Sequence, residues 1–392
     1  MMGRGRISFF APYLYPVMSR GAIPFAGGAE VQQAAMARGL VAQGFEVAIV
    51  TCDYGQPRRL TVDGIELLRA YRPHAGIRIV RFVHPRMTLA VKALLESRAQ
   101  VYFVQAAGVW AGIPHEVARL TGKSFVMMTA HDFDTVRPLP LLTTFRERWW
   151  QRRALRGADQ VLSQTERQRD NLLREFGVSS HVVPNPMAIP DAPADPGREG
   201  VVLWIATYKP AKRPEWFTEL ARRVPEHRFV MVGVVPEAAS EQGAWQAARE
   251  AGRDLPNLEV RGFVERERLG DLFRESALFV HTSPAEGFPN VVLEAWAHGL
   301  PSISCVDPDG VVGREQLGEF VDTLEALVAG TRRWMSDPSL RVAAGQRARA
   351  YVRFRHDPGA ISDRLAAVFD REVARRRPTG VRRRERSVAP PA

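Results

Sequence analysis

The sequence predicts an α/β protein built from two doubly wound, Rossmann-like domains that face each other across a cleft. Three observations support this prediction. A chain of 392 residues is too long for a single hydrophobic core. Continuous apolar runs alternate with segments of helical periodicity, which is typical of parallel sheets covered by helices on both faces. A stretch rich in proline and glycine near residue 190 interrupts this alternation, because neither a helix nor a strand tolerates it.

The first set of elements predicts an N-terminal domain over residues 1–187. Its strands are the apolar runs RISFFAPY, FEVAIVTC, VYFVQAA, SFVMMTA and ADQVLSQT. Between the first two, AEVQQAAMARGLVAQG predicts a helix that ends at Gly44. The proline-rich segment 188–199 is then the linker to the second domain.

The alternation restarts after the linker and predicts a C-terminal domain over residues 200–350. Its strands are GVVLWIAT, HRFVMVGVV, LEVRGFV, ALFVHTS and PSISCV. We expect residues 351–374 to be helical and consider that they cross back to the N-terminal domain. Residues 375–392 hold seven arginines and one acidic residue, a composition that predicts a disordered basic tail.

Composition narrows the class of partner and the compartment. The formal net charge of +11 resides largely in the tail, and the mildly basic remainder suits an anionic nucleotide. The tail has no aromatic residues on which bases could stack, so we expect no nucleic-acid partner. Cys52 and Cys305 form no metal or disulfide pattern, which fits a reducing compartment. Without an apolar stretch long enough to cross a membrane, the protein is expected to be cytoplasmic.

The segment HTSPAEGFPNVVLEAWAHG gives the strongest indication of a ligand site. A strand is predicted to end near Ser283, and a helix is predicted from Asn290 to Gly299. Glu286 lies in the loop between them, and Glu294 lies about one turn into the helix. Taken alone, these residues fit two interpretations equally well: acceptors for sugar and ribose hydroxyls, or a helix cap and a surface residue.

The start of this helix is also a predicted anion site. Gly287 lets the backbone approach a ligand closely. The amides near Phe288, Asn290 and Val291 are expected to point outwards at the positive end of the helix dipole. A diphosphate is the natural ligand of such a helix start.

The two glutamates and their surroundings resemble a known family. The segment RGFVERERLGDLFRESALFVHTSPAEGFPNVVLEAWAHGLPSIS, with its Glu-x7-Glu spacing, is similar to the donor half of retaining GT-B glycosyltransferases of glycosyltransferase family 4. The resemblance is strong over residues 200–312 and looser over the N-terminal half. It implies that Glu294 holds the ribose, that Glu286 holds a hydroxyl of the donor sugar, and that the N-terminal domain is the acceptor side.

The segment WIATYKPAKRPEWF places Lys209 and Lys212, two of only four lysines in the chain, in one loop after a predicted strand. A compact, mobile ammonium suits a phosphate there. In the resembling family, an arginine and, five residues later, a lysine neutralise the diphosphate. Lys212 matches the lysine, whereas Thr207 stands at the arginine position, and we hypothesise that Lys209 supplies the missing charge. A solvated loop is the alternative.

Two residues of the N-terminal half are candidates for the same site. Gly28 in FAGGAEVQQ precedes a predicted helix, and the resemblance implies that it approaches the distal phosphate of the donor. His131 in MMTAHDFDTV follows a predicted strand, and family members often carry a histidine there that contacts the sugar. On the residues alone, a double glycine or a lone histidine is more often structural.

Asp132 and Asp134 form an Asp-x-Asp pair, which resembles the metal motif of the other glycosyltransferase fold, GT-A. The pair is too short to be specific. Since lysines supply the phosphate-neutralising charge in the two-domain interpretation, we expect no metal requirement. We also expect no cofactor, only a nucleotide-diphosphate sugar as donor substrate.

Two weaker features complete the sequence analysis. Gly233 and Phe263 follow predicted strands at positions where the resembling family holds the nucleobase. The segment TTFRERWWQRRALR interleaves Trp149 and Trp150 with five arginines. Such a helix is either packed core with a charged outer face or a peripheral contact with an anionic membrane.

The sequence therefore predicts a retaining, metal-independent glycosyltransferase acting on a glycan or a lipid-linked acceptor. We expect Glu286, Lys212 and His131 to be its catalytic residues and cell-surface polysaccharide or glycolipid synthesis to be its setting. Peripheral association with the inner face of the membrane is a further expectation. The alternatives are a GT-B-like epimerase or phosphorylase and a non-catalytic nucleotide-sugar-binding protein, the last favoured slightly by Thr207.

Overall fold

The computed structural model describes residues 4–19, 23, 27–73, 82–236 and 238–375. Its strands form two sheets, one in each half of the chain. The strands of the first sheet are β1 Arg6–Phe10, β2 Glu46–Thr51, β3 Arg59–Val62, β4 Ile65–Arg69, β5 Val101–Gln105, β6 Ser124–Met128, β7 Gln160–Ser163 and β8 His181–Val182. Those of the second are β9 Val201–Ile205, β10 Phe229–Val232, β11 Leu258–Arg261, β12 Ser276–His281, β13 Ser302–Ser304 and β14 Gly318–Phe320.

The helices of the first half are α1 Tyr15–Met18, α2 Gly28–Ala42, α3 Thr88–Glu96, α4 Val109–Thr121, α5 Phe145–Gly157 and α6 Glu166–Phe176. Those of the second half are α7 Pro214–Arg223, α8 Gly243–Asp254, α9 Arg266–Arg274, α10 Asn290–Ala297, α11 Val311–Arg314, α12 Leu324–Ser336, α13 Pro338–Arg355 and α14 Pro358–Arg375. Short 3-10 turns at Asp132–Thr135 and Pro210–Lys212 follow β6 and β9. None of the helices within the described ranges combines the length and the apolar character needed to span a bilayer.

Both sheets are doubly wound, as predicted. The first has the strand order β3-β4-β2-β1-β5-β6-β7-β8, and the second has the order β11-β10-β9-β12-β13-β14. All pairings are parallel except that of the β3–β4 hairpin. The hairpin, β8 and β14 are additions to the predicted strands. In each sheet the carboxyl ends of the parallel strands therefore share one edge, which is where open α/β sheets bind ligands.

Helices cover both faces of each sheet and bury its apolar strands. In the first half, α2 and α14 pack on one face, and α3, α4 and α5 pack on the other. In the second half, α7, α8 and α12 oppose α9, α10 and α13. This arrangement explains why the strands read as continuous apolar runs rather than alternating ones.

The chain crosses between the domains twice. The first crossing is the proline-rich segment after β8, and the second lies between α13 and α14. The two crossings are bonded side by side, because the His356 Nδ1 lies 2.8 Å from the Asn185 carbonyl oxygen and the Met187 amide donates to the His356 carbonyl at 2.8 Å.

The C-terminal boundaries differ from those expected. Residues 351–355 still belong to α13, which packs on the C-terminal domain through Val352 and Tyr351. The helix that returns to the N-terminal domain is α14, whose Phe369 packs against Phe45 and Phe103. Arg375 is the last residue of α14, and the predicted tail beyond it lies outside the described residues.

Candidate active site

Lys212 and Glu286 meet at the carboxyl edge of the second sheet. Lys212 ends the 3-10 turn that follows β9, and Glu286 lies in the loop between β12 and α10. Since β9 and β12 are neighbouring parallel strands, their following loops share one edge. The Lys212 Nζ donates a hydrogen bond to the Glu286 Oε1. The structure therefore places the lysine, the glutamate and the approach to α10 at one pocket.

The Glu286 carboxylate is held ionised. Its side chain is only 16% exposed, and burial alone would raise its pKa. The polar contact with His281 and the positive charge of Lys212 outweigh burial and lower the pKa of Glu286 to about 2. The His281 Nε2 lies 3.8 Å from the Glu286 Oε1. At neutral pH Glu286 is thus an acceptor with a fixed orientation.

His281 was missed by the sequence reasoning. It is the last residue of β12 and is buried, with its Nδ1 3.3 Å from the Ser304 Oγ on the neighbouring strand β13. The available signal was that His281 is the first polar residue after the apolar run ALFV. Which carboxylate it faces depends on the folded loop, so its partner was not evident.

A buried hydroxyl fixes the backbone at Lys212. The Trp204 Nε1 donates to the Thr282 Oγ1 at 2.9 Å, and that hydroxyl donates to the Lys212 carbonyl at 2.6 Å. Trp204 and Thr282 are fully buried. The Lys209 side chain is instead exposed, and its carbonyl accepts from the Lys212 amide at 2.9 Å. The two lysines of this loop therefore have different environments.

Helix α10 begins at Asn290 without a side-chain cap. The alternative in which Glu286 caps this helix is thus wrong, because Glu286 pairs with Lys212 and His281 instead. The first amides of a helix have no carbonyl within the helix to accept them, so those of Asn290 and Val291 are the groups available to an anion here.

The Phe288 amide, which is expected from the sequence to face a phosphate, has a partner within the protein. This amide donates to the Gln164 Oε1 at 3.2 Å, across the domain boundary. Phe288 itself is buried against Trp296 and His356. The helix start therefore offers one amide fewer than predicted.

Gly28 lies directly opposite the start of α10. Its carbonyl accepts from the Asn290 Nδ2 at 2.7 Å, and the Gln32 side chain donates to the Asn290 Oδ1. A Cβ at Gly28 would lie 3.0 Å from the Asn290 Nδ2. The N-terminal ends of α2 and α10 thus face each other across the cleft.

His131 reaches the Glu286 loop from the other domain. Its Nδ1 accepts from the Phe133 amide at 3.1 Å, so the proton lies on Nε2, which donates to the Ala285 carbonyl at 3.2 Å. The loop that carries His131 is held by Asp134, whose Oδ2 accepts from the amides of Ala130 and His131 at 3.2 and 2.9 Å.

The Asp-x-Asp pair is structural. Asp134 forms the turn around His131, and burial raises its pKa. Asp132 accepts from the Gln168 Nε2 at 3.0 Å and lies 3.5 Å from the Arg167 Nε. Over the described part of the chain, no three His, Cys, Asp or Glu residues cluster in a way that could hold a metal ion.

Gly287 lies at a close contact between the two domains. A Cβ there would lie 2.8 Å from both the Ala130 carbonyl oxygen and the Gln164 Oε1, and 2.9 Å from the Gln168 Nε2. The absence of a side chain at Gly287 is therefore required by the closed arrangement of the domains.

The remaining predicted residues lie along the same edge of the second sheet. Thr207 follows β9, Gly233 follows β10 and Phe263 follows β11. A Cβ at Gly233 would lie 1.8 Å from the Ala206 carbonyl oxygen, so only glycine fits there. Phe263 is 40% exposed, and Glu294 is half-buried on α10.

Comparison with known proteins agrees with this architecture. Residues 27–186 match the family described as glycosyl transferase 4-like domain, and residues 199–337 match the glycosyl transferases group 1. The two matches together cover about three quarters of the chain. No curated protein sequence is significantly similar to the chain.

Solved structures show the same fold at low sequence identity. Sucrose-phosphate synthase from Thermosynechococcus elongatus superposes with a TM-score of 0.78 at 18% identity, covering 95% of this chain and all of that one. HepE from Anabaena, solved in complex with UDP and glucose, gives 0.72 at 15% identity over 93% of this chain and 99% of that one. The trehalose-6-phosphate synthase OtsA gives 0.72 at 12% identity, over 93% and 98% of the two chains. The matches and the two-domain architecture show that the chain belongs to the group 1 glycosyltransferases, with the GT-B fold.

Proposed function

We propose that the protein is a retaining, metal-independent glycosyltransferase that moves a sugar from a nucleotide-diphosphate sugar to a glycan or lipid-linked acceptor. The proposal extends to cell-surface polysaccharide or glycolipid synthesis at the inner face of the cytoplasmic membrane. The observation that carries it is the shared pocket of Lys212, ionised Glu286 and the uncapped start of α10.

The chemistry follows from the charge that develops on the leaving group. Breaking the bond between the anomeric carbon and the phosphate oxygen leaves a nucleotide diphosphate. Lys212 and the amides of Asn290 and Val291 are fixed positive partners for that charge, and such preorganised groups stabilise the transition state. Lys212 pairs with Glu286 before the donor binds, so the ammonium is already aimed at the pocket.

Glu286 and Glu294 accept hydrogen bonds from the donor in this proposal. Because a carboxylate directly against a diphosphate would be repelled, Glu286 is assigned to a sugar hydroxyl and Glu294 to the ribose. His131 is assigned to the sugar from the opposite domain. Since its Nε2 proton is donated to the Ala285 carbonyl, the ring must exchange this contact for a sugar hydroxyl when the donor binds.

The other assignments concern the ends of the donor. Gly28 and Gly287 allow the backbone to approach the phosphates and the sugar, while Gly233 and Phe263 flank the nucleobase. Thr207 lies between the strand that leads to Gly233 and the one that leads to Glu286. Lys209 is exposed, which favours Lys212 over Lys209 as the main phosphate partner.

Retention follows if the acceptor attacks from the face that the phosphate leaves. The acceptor hydroxyl passes its proton to the departing phosphate oxygen, and its own oxygen forms the new bond to the anomeric carbon. This step requires no protein base, so none is assigned. It requires no metal either, and both members of the Asp-x-Asp pair that could suggest one have partners within the protein, Asp134 in the His131 loop and Asp132 at Gln168.

UDP-sugars are the first donors to test, because HepE was solved in complexes with UDP and with UDP-glucose. A thermal-shift screen with UDP, GDP, ADP and their sugars identifies the base. Nucleotide diphosphate release is then measured with and without an extract that contains acceptors. Acceptor-dependent release that persists in EDTA, with product in the donor's anomeric configuration, supports the proposal.

Other outcomes of the same experiment would overturn the proposal. If no sugar nucleotide raises the melting temperature, the proposed donor site is contradicted. Loss of turnover in EDTA would contradict the metal-independent part, and an inverted product would contradict retention.

A further inference from the structure

Helix α5 carries an exposed stripe of aromatic and basic side chains. Phe145, Trp149, Arg152 and Arg156 recur at intervals of four, three and four residues, which places them on one face of a helix. Phe145 is 75% exposed and Trp149 is 45% exposed. Soluble surfaces seldom leave large aromatic side chains this open beside each other.

The stripe borders a groove of about 450 Å³ between α4 and α5. The two helices pack closely because Gly112 and Gly157 have no side chains. A Cβ at Gly112 would lie 2.0 Å from the Trp150 ring, and one at Gly157 would lie 2.1 Å from His115. Apart from Gly157, the groove is lined by aromatic and basic residues: His115, Arg119, Phe145, Trp149, Arg152, Arg153 and Arg156. It therefore combines an apolar surface with a ring of guanidinium groups.

The charge of this face is not neutralised by its neighbours. Glu116 on α4 is shared by Arg119 and Arg153. Arg152 and Arg156 have no carboxylate partner among the residues that the structure describes. Two unpaired guanidinium groups next to exposed aromatic rings match the two layers of an anionic membrane, where phosphates lie above an apolar region.

The position of this face relates it to the cleft. Helix α4 starts four residues after β5 ends, and α5 follows the 3-10 turn after β6, so both begin at the carboxyl edge of the first sheet. His131 lies at that same edge. A surface bound along α5 would therefore adjoin the rim of the cleft near Phe145.

We propose that the α4–α5 face, formed by Arg119, Phe145, Trp149, Arg152 and Arg156, docks the protein on the surface of an anionic lipid bilayer. Docking presents the cleft to acceptors carried in that bilayer. Only this last consequence rests on the proposed transfer to a lipid-linked acceptor. The docking itself is independent of catalysis.

The test is sedimentation of the full chain with vesicles of phosphatidylcholine, with or without phosphatidylglycerol. Binding is expected only when phosphatidylglycerol is present. Arg152→Glu together with Arg156→Glu should weaken it at least about 20-fold, since each arginine near such a surface contributes about a factor of five. The matched control is Arg249→Glu together with Arg253→Glu on α8. These two arginines are also exposed and have the same spacing.

An aromatic pair of variants separates insertion from plain charge attraction. Phe145→Ser should weaken binding several-fold, whereas Phe354→Ser, which changes an 80% exposed phenylalanine on α13, should not. Folding is checked by circular dichroism, and nucleotide release with a water-soluble acceptor should be unchanged in all four variants.

Equal loss in the α5 and α8 charge variants would overturn the proposal, since net charge alone would then explain binding. Full binding by the α5 variants would overturn it too, because another surface or the basic residues after Arg375 would then carry it. Vesicle binding without sugar transfer would refute the proposed function alone. Transfer without vesicle binding would refute the docking alone.

Discussion

The two halves of the molecule share an architecture but bring different chemistry to the cleft. The C-terminal half provides charged groups that are largely buried, with Glu286 held between Lys212 and His281. The N-terminal half provides neutral ones, such as the Gly28 carbonyl and the Gln164 amide. In the proposed mechanism, the C-terminal domain therefore supplies the electrostatic stabilisation, and the N-terminal domain supplies the complementary shape.

This division suits a cleft that must open. Separating buried opposite charges would be costly, and here the ion pair lies within one domain. Among the described residues, the hydrogen bonds across the cleft are neutral and replaceable by water, apart from those of the Asp309 carboxylate, which accepts from the amides of Glu166 and Arg167. Opening the cleft therefore leaves Lys212 and Glu286 paired.

Removing the charge tests the C-terminal half. We expect Lys212→Ala to lower turnover by about 100- to 1000-fold, because loss of one preorganised group opposite a developing negative charge has an effect of this size. The readout is nucleotide diphosphate release with the best donor. Lys209→Ala is the control, since this lysine is exposed in the same loop, and an equal loss in both variants would contradict the assignment of Lys212.

Adding a methyl group at the boundary tests how closely the N-terminal half must approach the C-terminal one. Gly287→Ala should reduce kcat/KM by about 10- to 100-fold, because its Cβ would collide with the Ala130 carbonyl and prevent full closure of the domains, and small misplacements of reacting groups have effects of this size. Gly243→Ala is the control, since its Cβ would meet nothing within 4 Å. Wild-type kinetics in Gly287→Ala would show that the domains do not close as described.

Removing the Thr282 hydroxyl tests whether the Lys212 backbone must be held rigidly. Thr282→Val removes the acceptor of the Trp204 N–H and the donor to the Lys212 carbonyl. We expect a loss of about 1–3 kcal/mol in the free energy of unfolding, measured with denaturant, because buried polar groups lose their partners. Turnover should fall several-fold, and Thr282→Ser should restore both. Normal turnover in a destabilised Thr282→Val protein would assign the hydroxyl to folding alone.

The junction of the two halves is expected to respond to pH. Burial lowers the pKa of His356 to about 4, although its hydrogen bond to the Asn185 carbonyl acts in the opposite direction. The folded state thus favours the neutral ring. The stability it contributes is complete above about pH 6.5 and is lost as the pH falls towards 4.

His356→Gln removes the titrating group at this junction. The free energy of unfolding should then vary less between pH 6.5 and 4 than in the wild type. His298, whose pKa burial also lowers to about 4, is present in both proteins and cancels in the difference. Parallel pH profiles would show that His356 is not the responsible group.

The sequence predicted what local patterns determine. Apolar runs and their turns indicated two parallel sheets, and the loops that carry Lys212 and Glu286 followed from the ends of β9 and β12. The β3–β4 hairpin was missed because its edge strand RLTV is short and half polar. Both sheets and the assignment to the GT-B glycosyltransferases are confirmed, whereas family 4, retention and the roles of the site residues stay predictions.

What could not be predicted depends on contacts distant in sequence. A helix start suggests free amides, yet the Phe288 amide is taken by Gln164, which lies 124 positions away. The contact of His281 with Glu286 became evident only from the fold, in which the end of β12 lies beside the Glu286 loop. No local pattern encodes which side chain of the other domain arrives at such a position.

The return of α14 has a consequence for how this protein can be divided. Its Phe369 packs on Phe45 and Phe103. A fragment ending after residue 187 would therefore leave this side of its hydrophobic core exposed to water. The family matches stop at residues 186 and 337 and so leave out this helix. An isolated N-terminal half should become soluble only when residues 358–375 are supplied again, either fused to it or added as a separate peptide.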